Sequence, residues 1–165
     1  MAGIKGVLFD KDGTLLEFNR TWGPAAHAVI ETLTQGDTQK RQALTAIVGF
    51  VPGTMDLDPR AALVSAGTDD YGREWARVLE RPATAAFFAE IDAHFAAAVL
   101  KSLAPIAQAR PALARLHNRK LPMGLATNDA ERNARQQMDA LGFTPFMPFI
   151  AGYDSGHGGK PEPGM

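Results

Sequence analysis

The sequence predicts an α/β fold, a core of buried strands and helices interrupted by a helical insertion. Three observations carry this. A short apolar run ends in two acids at Val7-Leu8-Phe9-Asp10-Lys11-Asp12. A second run, Leu121-Pro122-Met123-Gly124-Leu125-Ala126, passes into Thr127-Asn128-Asp129 and a polar-faced helix. Between them the chain is Ala-rich, with large apolar residues at helical spacing.

In chain order, residues 4–9 read as a buried strand, short and apolar and ended by a polar turn. Helices are expected near 23–34, 38–48, 70–80 and 84–100, with Thr38 capping the second and Asp69 or Asp70 the third. Gly49-Phe50-Val51-Pro52-Gly53 is a loop or short extended stretch, and Pro59 and Gly67 follow it. Trp75, on the same helix as Leu79, is expected in the core of the insertion. Beyond Pro105 come a helix over 107–119, a second strand over 121–126 and a helix over 129–140. Pro122 suits the first residues of a strand, and Gly142 suits a helix C-terminus. A third short strand is expected near 148–151, before the Gly-rich tail. The core is thus residues 1–18 and 103–165, and the insertion is 19–102. Insertions at such a loop often act as lids over the catalytic edge. The alternative is a single mixed α/β domain without a lid.

Composition narrows the function. Lys plus Arg is 17 against 18 for Asp plus Glu, a formal net charge of −1, which argues against a nucleic-acid footprint. With no cysteine, disulfides, a thiolate nucleophile and a Cys-ligated zinc site are excluded. His27, His94 and His117 stand singly on helical segments without zinc spacing. No apolar run approaches the roughly 18 residues of a membrane span. The first residues lack a signal-peptide layout, so a soluble cytoplasmic protein is expected.

The acids supply the chemistry. Open α/β sheets place ligands at the carboxyl ends of their strands. There Asp10 can attack phosphorus and form an aspartyl-phosphate, while Asp12 protonates the leaving alcohol and later deprotonates water. Two carboxylates beside a phosphate need a compensating cation. A hard ion such as Mg²⁺, held by Asp10 and a backbone carbonyl, suits the site. Gly13 lets backbone approach the phosphate and its turn offers N–H donors. Thr127 and Asn128, with the free amides of the following helix, form a phosphate cradle. Lys160 in its Gly-rich loop can neutralise both the phosphate and Asp10.

These motifs resemble those of the haloacid dehalogenase-like phosphatases. Asp10-Lys11-Asp12-Gly13-Thr14 is similar to the family's first motif, Thr127-Asn128 to its second, and Lys160 with Pro161-Glu162-Pro163 to its third. The lysine between the acids, Ala126-Thr127-Asn128-Asp129, and Gly156-His157-Gly158-Gly159-Lys160-Pro161 look most like the phosphoglycolate phosphatase branch. The resemblance implies a Rossmann-like parallel sheet with a helical cap inserted after the first motif. It implies Asp10 as nucleophile and metal ligand, and Asp12 as acid/base with its main-chain carbonyl on Mg²⁺. It implies phosphoryl contacts from Thr127, Asn128 and Lys160. The second aspartate, Asp12, favours a phosphatase over a true dehalogenase.

The family's fourth motif, an acidic pair beyond the lysine, has no counterpart before Met165. The core is therefore expected to be incomplete at its C-terminus, with an exposed sheet edge prone to self-association. Asp154 precedes Lys160 and is a further candidate to approach the metal. Weaker substrate contacts are expected from Arg20, Thr68 and His157, although hinge packing for Arg20 and a solvated loop for His157 are the alternatives.

The expected activity is Mg²⁺-dependent hydrolysis of a small phosphorylated metabolite, with 2-phosphoglycolate first. Nucleic acid and membranes are not expected partners. The alternatives are a fragment limited to phosphate binding or subunit association, and a phosphomutase-type phosphotransferase.

Overall fold

The computed structural model describes residues 3–61, 63 and 68–164, without the side chains of Asp69 and Asp70. Its elements are β1 (Val7–Phe9), α1 (Phe18–Thr34), α2 (Thr38–Val48), α3 (Thr68–Val78), α4 (Ala85–Ser102), α5 (Ala109–Asn118), β2 (Met123–Ala126), α6 (Glu131–Ala140), a 3₁₀ turn (Thr144–Phe146) and β3 (Phe149–Ala151). The chain divides into two compact units, Met1–Glu17 with Leu103–Met165, and Phe18–Ser102.

The first unit is built on a parallel sheet in the order β1-β2-β3. Parallel neighbours cannot be joined by a hairpin, so each connection must cross over through helix. The chain returns through α5 before β2, and through α6 before β3. Val7 aligns with Met123, Phe9 with Leu125, and Leu125 with Ile150. Met123, Leu125 and Ile150 are buried with Leu113 of α5 and Ala134 and Met138 of α6. Side chains alternate between the faces of a strand. Leu8, Gly124 and Phe149 therefore share the opposite face, and Leu8 and Phe149 are 53% and 49% exposed there.

The second unit is helical. Val29 and Ile30 of α1, Leu44 of α2, Trp75 of α3 and Phe87, Ile91 and Phe95 of α4 form its core. Trp75 is wholly buried, with Tyr71 edge-on to its ring at 5.3 Å and Phe95 tilted against it at 6.2 Å.

Several boundaries differ from the sequence expectations. Helix α1 begins at Phe18 and carries Pro24 inside it. The buried face made by Thr21, Ala25 and Ala26 outweighs the proline's missing donor. The cap of α2 is Asp37 rather than Thr38, for its Oδ1 accepts from the Gln39 and Lys40 amides at 2.9 and 3.0 Å. A carboxylate one residue upstream is the stronger acceptor, and Thr38 becomes the first helical residue. Asp69 and Asp70 fall within α3, and their expected capping contacts lie outside the described residues, as do Ala66 and Gly67. The strands are shorter than their apolar runs, because parallel pairing ends where a neighbour ends. Among the described residues no helix is long and apolar enough to cross a membrane.

Candidate active site

Because the strands are parallel, the residues that follow them meet at one edge of the sheet. Asp10 follows β1, Thr127-Asn128-Asp129 follow β2, and the loop after β3 leads to Lys160. Lys160 returns across the strand ends. Its ammonium pairs with Asp10 Oδ1 and donates to the Ala126 carbonyl at 3.1 Å. The pair stays accessible, with the Asp10 side chain 43% exposed and that of Lys160 36%. The Asn128 side chain accepts from the Lys160 N–H at 2.7 Å and donates to the Lys160 carbonyl at 3.0 Å.

Lys11 is the unexpected member. Its side chain is fully buried. Three oxygens surround its Nζ: Gln137 Oε1 at 2.6 Å, Asp12 Oδ2 at 2.9 Å and Asp129 Oδ2 at 3.0 Å. A buried ammonium is tolerated only when so surrounded. Asp129 also accepts from Gln137 Nε2 at 2.8 Å, Asn133 Nδ2 at 3.2 Å and the Ala130 amide at 2.8 Å. The sequence reading used Lys11 and Asp129 only as marks of family branch and gave Gln137 no role. One signal was present: Asp129, Asn133 and Gln137 recur every four residues, along one face of a helix.

The amides expected to cradle phosphate are largely engaged. The Gly13 N–H donates to the Leu16 carbonyl at 2.8 Å. Those of Leu15 and Leu16 close onto the Lys11 carbonyl at 2.8 and 3.1 Å. The turn satisfies itself, and the positive φ of Gly13, 80°, serves that closure. At the start of α6, the Asp129 amide donates to Thr127 Oγ1 at 3.1 Å and the Glu131 amide to Asp154 Oδ1 at 2.8 Å. Asp154 is thus a helix cap here. Thr127 is buried, and its hydroxyl hydrogen is not committed by the bond it accepts.

Of the weaker candidates, His157 is exposed with its ring 6.4 Å from that of Phe149. Arg20 and Thr68 belong to the helical unit. Arg20 is exposed, and the Thr68 hydroxyl bonds Asp92 and the Tyr71 hydroxyl.

Three carboxylates, Asp10, Asp12 and Asp129, face two ammonium groups, Lys11 and Lys160, so the cluster carries a net charge of −1. A phosphate dianion arriving there calls for a further cation. Among the described residues no three His, Asp or Glu side chains gather as a metal cluster. Mg²⁺ does not require one. It commonly binds through one or two carboxylates, substrate oxygens and retained waters. The half-exposed Asp10 carboxylate fits that pattern.

An α/β sheet bearing an aspartate and a lysine at its carboxyl edge defines the class to which the comparisons also point. The family model for haloacid dehalogenase-like hydrolases matches residues 4–165, and the chain belongs to that family. No curated protein matches it. Among solved structures, a predicted phosphoglycolate phosphatase of Haemophilus somnus superposes with TM-score 0.65 at 16% identity over 99% of this chain and 68% of its own. A candidate β-phosphoglucomutase of Thermotoga maritima gives 0.63 and 18% over 97% of this chain and 66% of its own. A subfamily IA, variant 1 hydrolase of the same superfamily from Geobacter sulfurreducens gives 0.58 and 14% over 98% and 69%. These likenesses establish the shared fold. The chain spans about two thirds of the length of each.

Proposed function

We propose that the protein is a Mg²⁺-dependent phosphomonoesterase of the cytoplasm, acting on a small phosphorylated metabolite through an aspartyl-phosphate. The observation that carries this reading is the pairing of Lys160 with Asp10 across 150 residues of sequence, at a solvent-accessible sheet edge.

In this reading an Asp10 carboxylate oxygen bonds to phosphorus as the bond to the leaving alcohol breaks. Asp12, which must first take up a proton, delivers it to the departing oxygen. Water then attacks the aspartyl-phosphate, returning its proton to Asp12 and releasing inorganic phosphate. Lys160 balances the charge of the phosphoryl group, and the Thr127 hydroxyl donates to one of its oxygens. Asn128 serves chiefly by holding the Lys160 backbone, with its own phosphoryl contact secondary. Gly13 acts through its turn. Asp10 and the Asp12 carbonyl would hold Mg²⁺, which when bound supplies positive charge to the phosphoryl oxygens. The helical unit, Phe18–Ser102, is read as a cap, and Arg20, Thr68 and His157 are kept as the weaker candidates for substrate contact.

The resemblance of the lysine between the acids and of the Gly-His-Gly run to the phosphoglycolate phosphatase branch makes 2-phosphoglycolate the first substrate to test. The test is phosphate release from a panel of phosphomonoesters that includes it, with and without Mg²⁺, for the wild type beside Asp10→Asn. Turnover lost in the variant supports the reading. Equal Mg²⁺-dependent turnover in both overturns it, and transfer to a sugar hydroxyl instead of water would make the protein a phosphomutase relative.

The exposed Leu8 and Phe149 favour a second reading, in which this chain only binds phosphate or associates with another subunit through that apolar surface. A monomer with full turnover would exclude it.

A further inference from the structure

We propose that Lys11 is a positioning residue for the reaction, holding the Asp12 carboxylate in place from below through a buried clamp anchored on Asp129 and Gln137. The inference rests on the phosphatase reading and adds three residues to it.

The geometry leaves Lys11 little freedom. Its side chain has no solvent exposure. An ammonium has three N–H groups, and here three oxygens lie 2.6 to 3.0 Å from it. Two of those oxygens, on Asp129 and Gln137, are themselves joined by the Gln137 Nε2–Asp129 Oδ2 bond at 2.8 Å. Gln137 is 2% exposed and sits on α6, whose start is tied down by the Ala130 and Glu131 amides. The anchor is therefore rigid. The third oxygen belongs to Asp12, whose side chain is 22% exposed. Such an arrangement fixes one carboxylate oxygen from inside. General acid catalysis depends on placement within hydrogen-bond reach of the leaving oxygen.

A purely structural lysine would serve only to neutralise the buried Asp129. The two roles separate by leaving group. An alkyl phosphate needs its leaving oxygen protonated, whereas p-nitrophenyl phosphate expels a stable phenolate and needs little help. Misplacing Asp12 must therefore harm the first far more than the second, while general loosening harms both alike.

The experiment uses Lys11→Met/Asp129→Asn. The pair removes opposite charges together, and the new side-chain amide can donate to Gln137, so the fold is retained where Lys11→Met alone would strand a buried carboxylate. Thermal melts confirm folding. In kcat/KM the double variant should lose about 10²-fold on an alkyl phosphate and less than about 10-fold on p-nitrophenyl phosphate. Asp12→Asn should show the same bias, and adding the double substitution to it should cost little more. Equal losses on both esters, or undiminished alkyl-ester turnover, would overturn the inference. If the wild type hydrolyses neither ester, the phosphatase reading fails on its own. A crystal structure of the double variant then judges the clamp: Asp12 is expected to leave its position, and an unmoved Asp12 refutes it.

Discussion

Asn128 holds Lys160 by both polar atoms of its backbone, accepting from the N–H at 2.7 Å and donating to the carbonyl at 3.0 Å. The two residues are 32 apart in sequence, and this pair of hydrogen bonds helps to set the Lys160 loop against the end of β2. From there the lysine side chain reaches Asp10.

Asn128→Ala removes both bonds and frees the loop. We expect kcat/KM to fall roughly 10²-fold, near the cost of losing one fixed charge-stabilising donor. The melting temperature should move little, because the contact is exposed. Steady-state kinetics beside a thermal melt reads both, and an unchanged kcat/KM would mean that Lys160 finds Asp10 without this latch.

Gly152 lies where the loop after β3 crosses the start of α6. A Cβ there would sit 2.2 Å from the Glu131 amide nitrogen and 2.6 Å from the Asp129 carbonyl oxygen. Both obstacles are backbone and cannot rotate away. Gly152→Ala should destabilise the α/β unit by about 1–3 kcal/mol. Urea titration is the check, and a midpoint equal to that of the wild type would show that α6 shifts freely.

Tyr71 gives the helical unit an alkaline limit. Burial pushes its phenol from 10.0 up to about 12, with the neighbouring Asp92 charge raising it and the Thr68 hydrogen bond opposing. An unfolded tyrosine loses its proton near pH 10, while the native one keeps it to about 12. The unfolded state therefore binds fewer protons across that window, and stability falls as pH rises. The contribution is complete below pH 10 and is lost by about 1–3 kcal/mol on approach to pH 12. Tyr71→Phe should flatten this part of the curve. Denaturant midpoints measured on both sides of pH 10 test it, and parallel declines in the two proteins would count against the assignment.

The α/β class, the strands that precede Asp10 and Thr127-Asn128, and the existence of the helices α1 to α4 were legible in sequence. Each follows from local pattern: apolar runs of strand length, acids directly after them, and apolar residues at helical spacing. The early start of α1 was not legible. Gly23-Pro24 marks a break in any local reading, and only packing of Thr21, Ala25 and Ala26 into the unit's interior reverses that.

Legibility of the site divides in the same way. The sequence by itself determined which residues are candidates for the chemistry, because an aspartate pair, a Thr-Asn pair and a lysine each follow an apolar run or a Gly-rich loop. Tertiary structure alone decided how those reagents are held. It spent the Gly13 amide on its own turn, made Asp154 a helix cap, turned Asn128 toward the Lys160 backbone and buried Lys11 among Asp12, Asp129 and Gln137. The physical reason is that a hydrogen bond depends on distance and direction, and a buried charge on complete enclosure. Residues 126 apart in sequence meet those conditions only once the sheet has brought them together.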